Sequence, residues 1–317
     1  MALAEELQEK NCNITFAMRK SELGINTVKE SYQVLQSNEK DFNYKEWLTD
    51  CIETTNTNIL IMDMRDGLTR EELRYIKKET GIKVVTIDDP EEKRLSADLA
   101  FYPPVPQVQK MDWNGFKGKL YSGWEYVILR KEFYKEYPKI KNEIPNILVT
   151  MGGTDPLDMI KFVVKSLDLI EENFTVTIIL GSGYQHKERL NELLKSIKYK
   201  YDIFQNPPNV AELMSKSDLG IISFGQTAYE LAALKVPALY LCLTDDHYES
   251  SKVFMNEGIG TTLKLFSDVK QQDIVEAVIF HQTEKHILKE MSLHSSLLCI
   301  SDKFKLAQLI YQELGYA

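Results

Sequence analysis

From residue 146 onward the chain repeats one pattern. A short run of β-branched and aliphatic residues leads into a turn of small or polar residues, and then into a segment with helical spacing of its apolar positions. The runs are 146–151, 175–180, 201–204, 219–223 and 238–242. Helical segments are expected from Pro156, over 187–197 and 210–217, from Gln226, and over 247–257, 271–280 and 302–314. Strands that alternate with helices in this way pair in parallel, with the helices covering the sheet faces. One doubly wound α/β domain is therefore expected over 141–317.

The first half carries the same signals less regularly. Helices are expected over 2–9, 41–55 and 69–80, and strands over 13–18, 58–63, 83–87 and 99–102. Thr69 and Glu72 form a capping-box pattern, and Gly81 stands where a helix C-terminus favours a left-handed residue. Pro103, Pro104 and Pro106 mark irregular backbone. The charged stretch 131–142 places the boundary near residue 140, so 1–140 is expected as a second Rossmann-like domain on the sugar or acceptor side. Two domains suit 317 residues, since single domains run to roughly 200. The chain opens inside a helix, whereas a doubly wound domain opens with a strand whose following turn often carries a ligand loop. The first domain is thus expected to lack its first strand.

Charge narrows the ligand classes. The net charge is −9, and no basic stripe with interleaved aromatics is present, so nucleic acid and anionic membrane surfaces are poor partners. A small phosphate ligand remains compatible, because main-chain N–H groups at a helix start hold it without net positive charge. No apolar run reaches the roughly 18 residues of a membrane span. The N-terminal segment resembles neither a signal nor a transit peptide. Cys12, Cys51, Cys242 and Cys299 are scattered, which predicts free thiols in a reducing, cytoplasmic compartment. Cys12 and Cys242 are expected as small buried hydrophobes.

Four clusters stand at the C-terminal ends of expected strands, where open α/β sheets bind ligands. Met151-Gly152-Gly153-Thr154-Asp155-Pro156 supplies glycines for close backbone approach, with Thr154 or Asp155 as a helix cap. It reads as a loop facing a phosphate or sugar, or as a tight strand–helix turn. In Ser223-Phe224-Gly225-Gln226-Thr227-Ala228-Tyr229-Glu230, free N–H groups at the helix start suit a diphosphate. Glu230, one turn on, can accept two ribose hydroxyls, or simply favour the helix dipole. Thr244-Asp245-Asp246-His247 offers polar groups for a sugar, with Asp246 among them. Asp245 or Asp246 can equally cap a helix. His247 is the acid/base candidate, against the alternative of a solvated surface histidine. Asp63-Met64-Arg65-Asp66 and Asp88-Asp89-Pro90 can line a cleft or form turns. No spacing suggests metal ligands, and no cofactor is expected. Neither a Walker-type phosphate loop nor a nucleophile elbow occurs.

Taken together, the segments Ala2 to Leu7, Ile61 to Asp66, Thr86 to Asp89, Gly123 to Phe133, Met151 to Asp155 and Asn209 to Pro237 carry a resemblance over nearly the whole chain. Tyr126 to Phe133 (YVILRKEF) and MGGTD are the most specific. The sequence resembles the UDP-2,4-diacetamido-2,4,6-trideoxy-β-L-altropyranose hydrolases of pseudaminic acid synthesis and the related spore-coat polysaccharide proteins. That family lies within the glycosyltransferase-B fold group, with the GlcNAc transferase of peptidoglycan synthesis as a cousin. The resemblance implies two Rossmann-like domains with UDP held mainly by the second. It places Gly225 to Thr227 at the diphosphate and Glu230 on the ribose. For a hydrolase it implies attack of water on the anomeric carbon with release of UDP. The family opens with a strand and a Gly-x-Gly-His loop whose histidine is the expected base, and this chain begins after it. The Ser223 to Gln226 turn is bulkier than the family's usual small-residue turn.

Three functions follow from this reading. The first is a UDP-sugar hydrolase that releases a free amino-sugar for nonulosonate or surface-polysaccharide synthesis. The second is a glycosyltransferase of the same fold. The third is a non-catalytic UDP-sugar-binding protein, or half of a split enzyme completed by a separate N-terminal segment. Biosynthetic partner enzymes are the expected protein partners.

Overall fold

The structure, a computed structural model, describes residues 1–19, 22–37, 43–64, 67–138, 142–301 and 305–315. Arg65 and Asp66 of the first-half cluster lie outside them. Two compact units result: Met1–Ile128 with Asp302–Ala317, and Leu129–Ser301.

In the first unit, α1 (Ala2–Gln8), β1 (Thr15–Met18), α2 (Glu22–Lys29) and β2 (Gln33–Gln36) lead to α3 (Tyr44–Thr55) and β3 (Ile59–Met62). Then come α4 (Arg70–Thr80), β4 (Lys83–Ile87), β5 (Leu99–Tyr102), α5 (Gln107–Lys110) and β6 (Lys119–Ser122). β1 and β2 form a parallel pair, and β3-β4-β5-β6 a four-stranded parallel sheet in chain order. Side chains alternate across that sheet. Val84 packs with Leu48, Ile52, Leu73 and Ile76 from α3 and α4. Its neighbour Val85 packs on the other face with Leu3 and Leu7 of α1. The capping box of α4 forms as expected. The Thr69 hydroxyl accepts from the N–H of Glu72, the Glu72 carboxylate accepts from that of Thr69, and Gly81 is left-handed at φ 68°.

The second unit holds β7 (Asn146–Thr150), α6 (Met159–Leu167), β8 (Thr175–Leu180), α7 (Lys187–Leu194), β9 (Lys200–Gln205) and α8 (Val210–Ser215). They are followed by β10 (Leu219–Ser223), α9 (Gln226–Ala233), β11 (Ala238–Cys242), α10 (Asp245–Asn256), β12 (Gly260–Leu265), α11 (Gln271–Thr283) and α12 (Lys285–Leu297). The six strands are parallel in the order β12-β11-β10-β7-β8-β9, which is the doubly wound arrangement. Every residue of β10 and β11 is buried, as expected for strands covered on both faces. Val149, Ile178, Ile221 and Leu239 meet Val163 and Leu167 of α6 and Ile274 and Val278 of α11.

The final helix, α13 (Lys305–Glu313), belongs to the first unit. Its Leu306, Ala307 and Ile310 join Val85, Leu99 and Phe101. Glu313 accepts from the Tyr121 hydroxyl at 2.9 Å and pairs with Lys119. α2, β2, α5, β6, β12 and α12 were not anticipated. β12 reads GTTLKL, and its half-buried threonines give no apolar run. α6 starts at Met159 rather than Pro156, because Asp155 and Asp158 take left-handed φ values of 43° and 52°. All four cysteines are free. Cys242 is buried and Cys12 only partly so. No helix among the described residues is long and apolar enough to cross a membrane.

Candidate functional site

In the six-stranded sheet the winding reverses between β7 and β10, which pair from Leu219↔Ile147 to Ile222↔Thr150. At such a switch point the crossovers diverge to opposite faces and leave a crevice at the strands' C-terminal ends. Two of the four clusters flank it. A Cβ built on Gly152 (φ 72°) would lie 3.8 Å from Ser223 Oγ, so the two loops are neighbours. The glycines of the first loop also serve packing. The Gly183 N–H donates to the Gly153 carbonyl at 3.0 Å. A side chain on Gly181 would run into the Gly152 and Gly153 carbonyl oxygens.

The helix starts of this unit differ in what already occupies them. Asp155, 2% exposed, accepts from the N–H groups of Met159 (2.8 Å) and Ile160 (3.0 Å), so a buried carboxylate fills the start of α6. Burial pushes the Asp155 carboxyl up, and the two N–H bonds oppose that. Asn209 caps α8, and Thr244 caps α10 through the His247 N–H at 3.2 Å, with Asp245 and Asp246 in the first turn. α7 has no side-chain cap but carries Glu188 in its first turn. α9 differs from all four: its N-cap is Gly225, no side chain caps it, and its first turn contains no acid. Among the described residues no side-chain cap and no first-turn acid offsets the positive dipole end of α9, although the Ala228 N–H bonds the Gly225 carbonyl at 3.0 Å. Gln226 is exposed and Thr227 half-buried there.

One turn into α9 lies Glu230, 8% exposed. Arg130 reaches its carboxylate at 3.4 Å and the Glu132 carboxylate at 2.9 Å. The other Glu132 oxygen accepts from the Ala211 N–H at 3.3 Å, in the first turn of α8. Burial pushes the Glu230 carboxyl up, and the Arg130 guanidinium pulls it back. Arg130 was missed as a site residue, although it sits in the YVILRKEF segment. Leu129 and Phe133 of that segment are core residues, which places Arg130 beside α9.

The remaining candidates separate. His247 lies in the first turn of α10, its ring 6.1 Å from that of Phe224 at the end of β10. Phe224 is held by Tyr240 and Phe254, so the bulky turn is part of an aromatic core. Asp246 is exposed, and the cap of α10 is Thr244 rather than either aspartate. In the first unit, Asp63 is exposed after β3 and Asp88 is left-handed at φ 46° after β4. Asp89 is fully buried. Through Oδ1 it pairs with the equally buried Lys93 at 3.1 Å and accepts from the Glu91 N–H, while its Oδ2 has no hydrogen-bond partner among the described residues.

The glycosyltransferase family 28 C-terminal domain matches residues 146–308. The spore coat polysaccharide biosynthesis protein SpsG of Bacillus subtilis (strain 168) is 26% identical over 279 residues, covering 86% of this chain and 80% of that protein. A UDP-2,4-diacetamido-2,4,6-trideoxy-β-L-altropyranose hydrolase of Campylobacter jejuni is 26% identical over 222 residues, covering 68% and 78%. The crystal structure of MurG from Acinetobacter baumannii superposes with a TM-score of 0.73 at 15% identity, covering 98% of this chain and 94% of that one. By the doubly wound second unit, the matched domain and these relatives, the chain belongs to the glycosyltransferase family 28 C-terminal domain family, as an SpsG-like protein of glycosyltransferase-B fold.

Proposed function

We propose that the Leu129–Ser301 unit binds the UDP moiety of a nucleotide-sugar and that the protein hydrolyses the bond between sugar and diphosphate. The observation that carries this reading is the start of α9. It is the helix start at the switch point that neither a side-chain cap nor an acid neutralises, and it has a buried carboxylate one turn away. Gly225, Gln226 and Thr227 would hold the diphosphate through main-chain N–H groups. Glu230 would accept the ribose hydroxyls. Gly152, Gly153 and Thr154, on the loop beside Ser223, would approach the distal phosphate or the sugar, and Asp246 would meet sugar hydroxyls.

In the reaction a water oxygen attacks the anomeric carbon. The bond from that carbon to the diphosphate oxygen breaks, its electron pair leaves with UDP, and a base takes the water proton. His247 is the acid/base candidate in the second unit. The named activity of the Campylobacter relative makes a 2,4-diacetamido-2,4,6-trideoxyhexose the substrate class we assign. The glycosyltransferase family match favours one second reading, transfer of the sugar to an acceptor hydroxyl in place of water.

Calorimetric titration with UDP, of the parent and of Glu230→Ala, tests the binding site. Binding by the parent and a loss of about 10- to 100-fold in the variant supports it. A folded parent that ignores UDP overturns both the hydrolase and the UDP-dependent transferase readings. UDP release from a UDP-sugar without acceptor then separates hydrolysis from transfer.

A further inference from the structure

We propose that Arg130 is a positioning residue that holds the Glu230 carboxylate ionised and oriented as a hydrogen-bond acceptor; the ligand side of this inference rests on the ribose role assigned to Glu230 above. Three observations converge on it. Glu230 is buried, and an isolated carboxylate in such a place is driven toward its neutral form. Arg130 meets it at 3.4 Å with the planar fork suited to carboxylates. Arg130 is itself held by Glu132 at 2.9 Å, and Glu132 is anchored on the Ala211 N–H at the start of α8. The guanidinium is thus fixed between two carboxylates on separate segments, with about half of its surface in solvent.

The consequence concerns proton chemistry. A carboxylate that accepts two hydroxyl hydrogens must be ionised, since the neutral acid has its own proton to donate. Among the described residues, the charged groups acting on Glu230 are Arg130, which favours ionisation, and Glu132, which opposes it. Removing Arg130 leaves the burial penalty and the Glu132 charge without a counterweight, so Glu230 takes up its proton at higher pH. The arrangement also explains how an arginine 100 positions before Glu230 acts on a residue of α9: the two segments share one electrostatic unit.

The test is a set of UDP titrations at pH 6 and pH 8 on the parent, Arg130→Ala, Arg130→Lys, Glu230→Gln and the double variant. Glu230 is followed separately in each by carbon NMR of its carboxyl. Thermal unfolding checks that each variant is folded. Arg130→Ala is expected to lose about tenfold in UDP affinity at pH 8, and more at pH 6. Arg130→Lys recovers most of the loss. In the Glu230→Gln background, Arg130→Ala costs less than about twofold and the extra pH dependence disappears. The Glu230 carboxyl titrates at higher pH in Arg130→Ala than in the parent, with no ligand present. An equal loss at both pH values and in both backgrounds overturns the proposal, because it marks Arg130 as a direct phosphate ligand. An unmoved Glu230 titration overturns it whatever the UDP result. A parent that does not bind UDP while Glu230 titration does shift removes the ribose reading alone.

Discussion

The main-chain N–H of Met159 donates to the Asp155 carboxylate at 2.8 Å, so the first helix of the second unit carries its own anion at its start. Asp155→Ala strands two buried donors and is expected to cost about 2 kcal/mol in chemical denaturation. UDP affinity should be unchanged, since this helix start is already occupied. Asp155→Asn separates the charge from the cap. The folded carboxyl is raised by burial, so the folded state holds its proton more tightly than the unfolded chain. Its contribution to stability therefore falls as pH rises from the ordinary carboxylate value through the raised one, and Asp155→Asn should flatten that part of the pH–stability curve.

A negative charge placed at the open start of α9 should act in opposite directions on fold and ligand. Gln226→Glu is expected to leave stability unchanged or raise it by about 0.3–1 kcal/mol, by favouring the dipole. The same change should weaken UDP by about three- to thirtyfold, through repulsion of the diphosphate. Calorimetry and thermal unfolding on one preparation read both. A variant that binds UDP as well as the parent removes the diphosphate from this position.

The buried pair in the first unit gives a stability prediction independent of any ligand. Lys93→Ala leaves the Asp89 carboxylate without its cation and should cost about 3–5 kcal/mol. Asp89→Asn with Lys93→Met removes both charges and keeps the acceptor for the Glu91 N–H, and should recover most of that loss. Denaturation midpoints of the three proteins decide it. A mild single-variant effect would mean that solvent reaches the pair.

His247→Ala separates chemistry from binding. Its ring lies beside Phe224, and its N–H, which the substitution keeps, completes the Thr244 cap. UDP affinity is expected to hold while UDP release from a UDP-sugar falls by about 10²- to 10⁴-fold. Unchanged release assigns the ring to packing against Phe224.

The parts of the fold legible in the sequence were those with local causes. The Thr69 and Glu72 box, the left-handed Gly81 and the buried strands Leu219–Ser223 and Ala238–Cys242 each follow from a few adjacent residues. The start of α9 was legible for the same reason. What depends on partners distant in sequence was not. Arg130 and Glu230 are 100 positions apart, and nothing local in either segment points to the other. Asp155 could be read as a helix cap or a ligand group, and Asp89 as a turn former or a cleft residue, because those roles share one one-letter pattern. Only the positions of Met159, Ile160 and Lys93 tell them apart. β12 escaped because threonines on a half-covered edge strand produce no hydrophobic run.

The place of α13 has a consequence for how the chain acquires its structure during synthesis. The second unit is continuous in sequence and has its whole core once Ser301 has emerged. The first unit is interrupted. Val85, Leu99 and Phe101 wait, on one face of their sheet, for Leu306, Ala307 and Ile310. The half made first is therefore finished last, and the order of synthesis is the reverse of the order of completion. Until Leu306 to Ile310 leave the ribosome, the apolar sheet face that α1 covers in part stays open where α13 will pack, and that interval is when the early unit depends most on protection from aggregation.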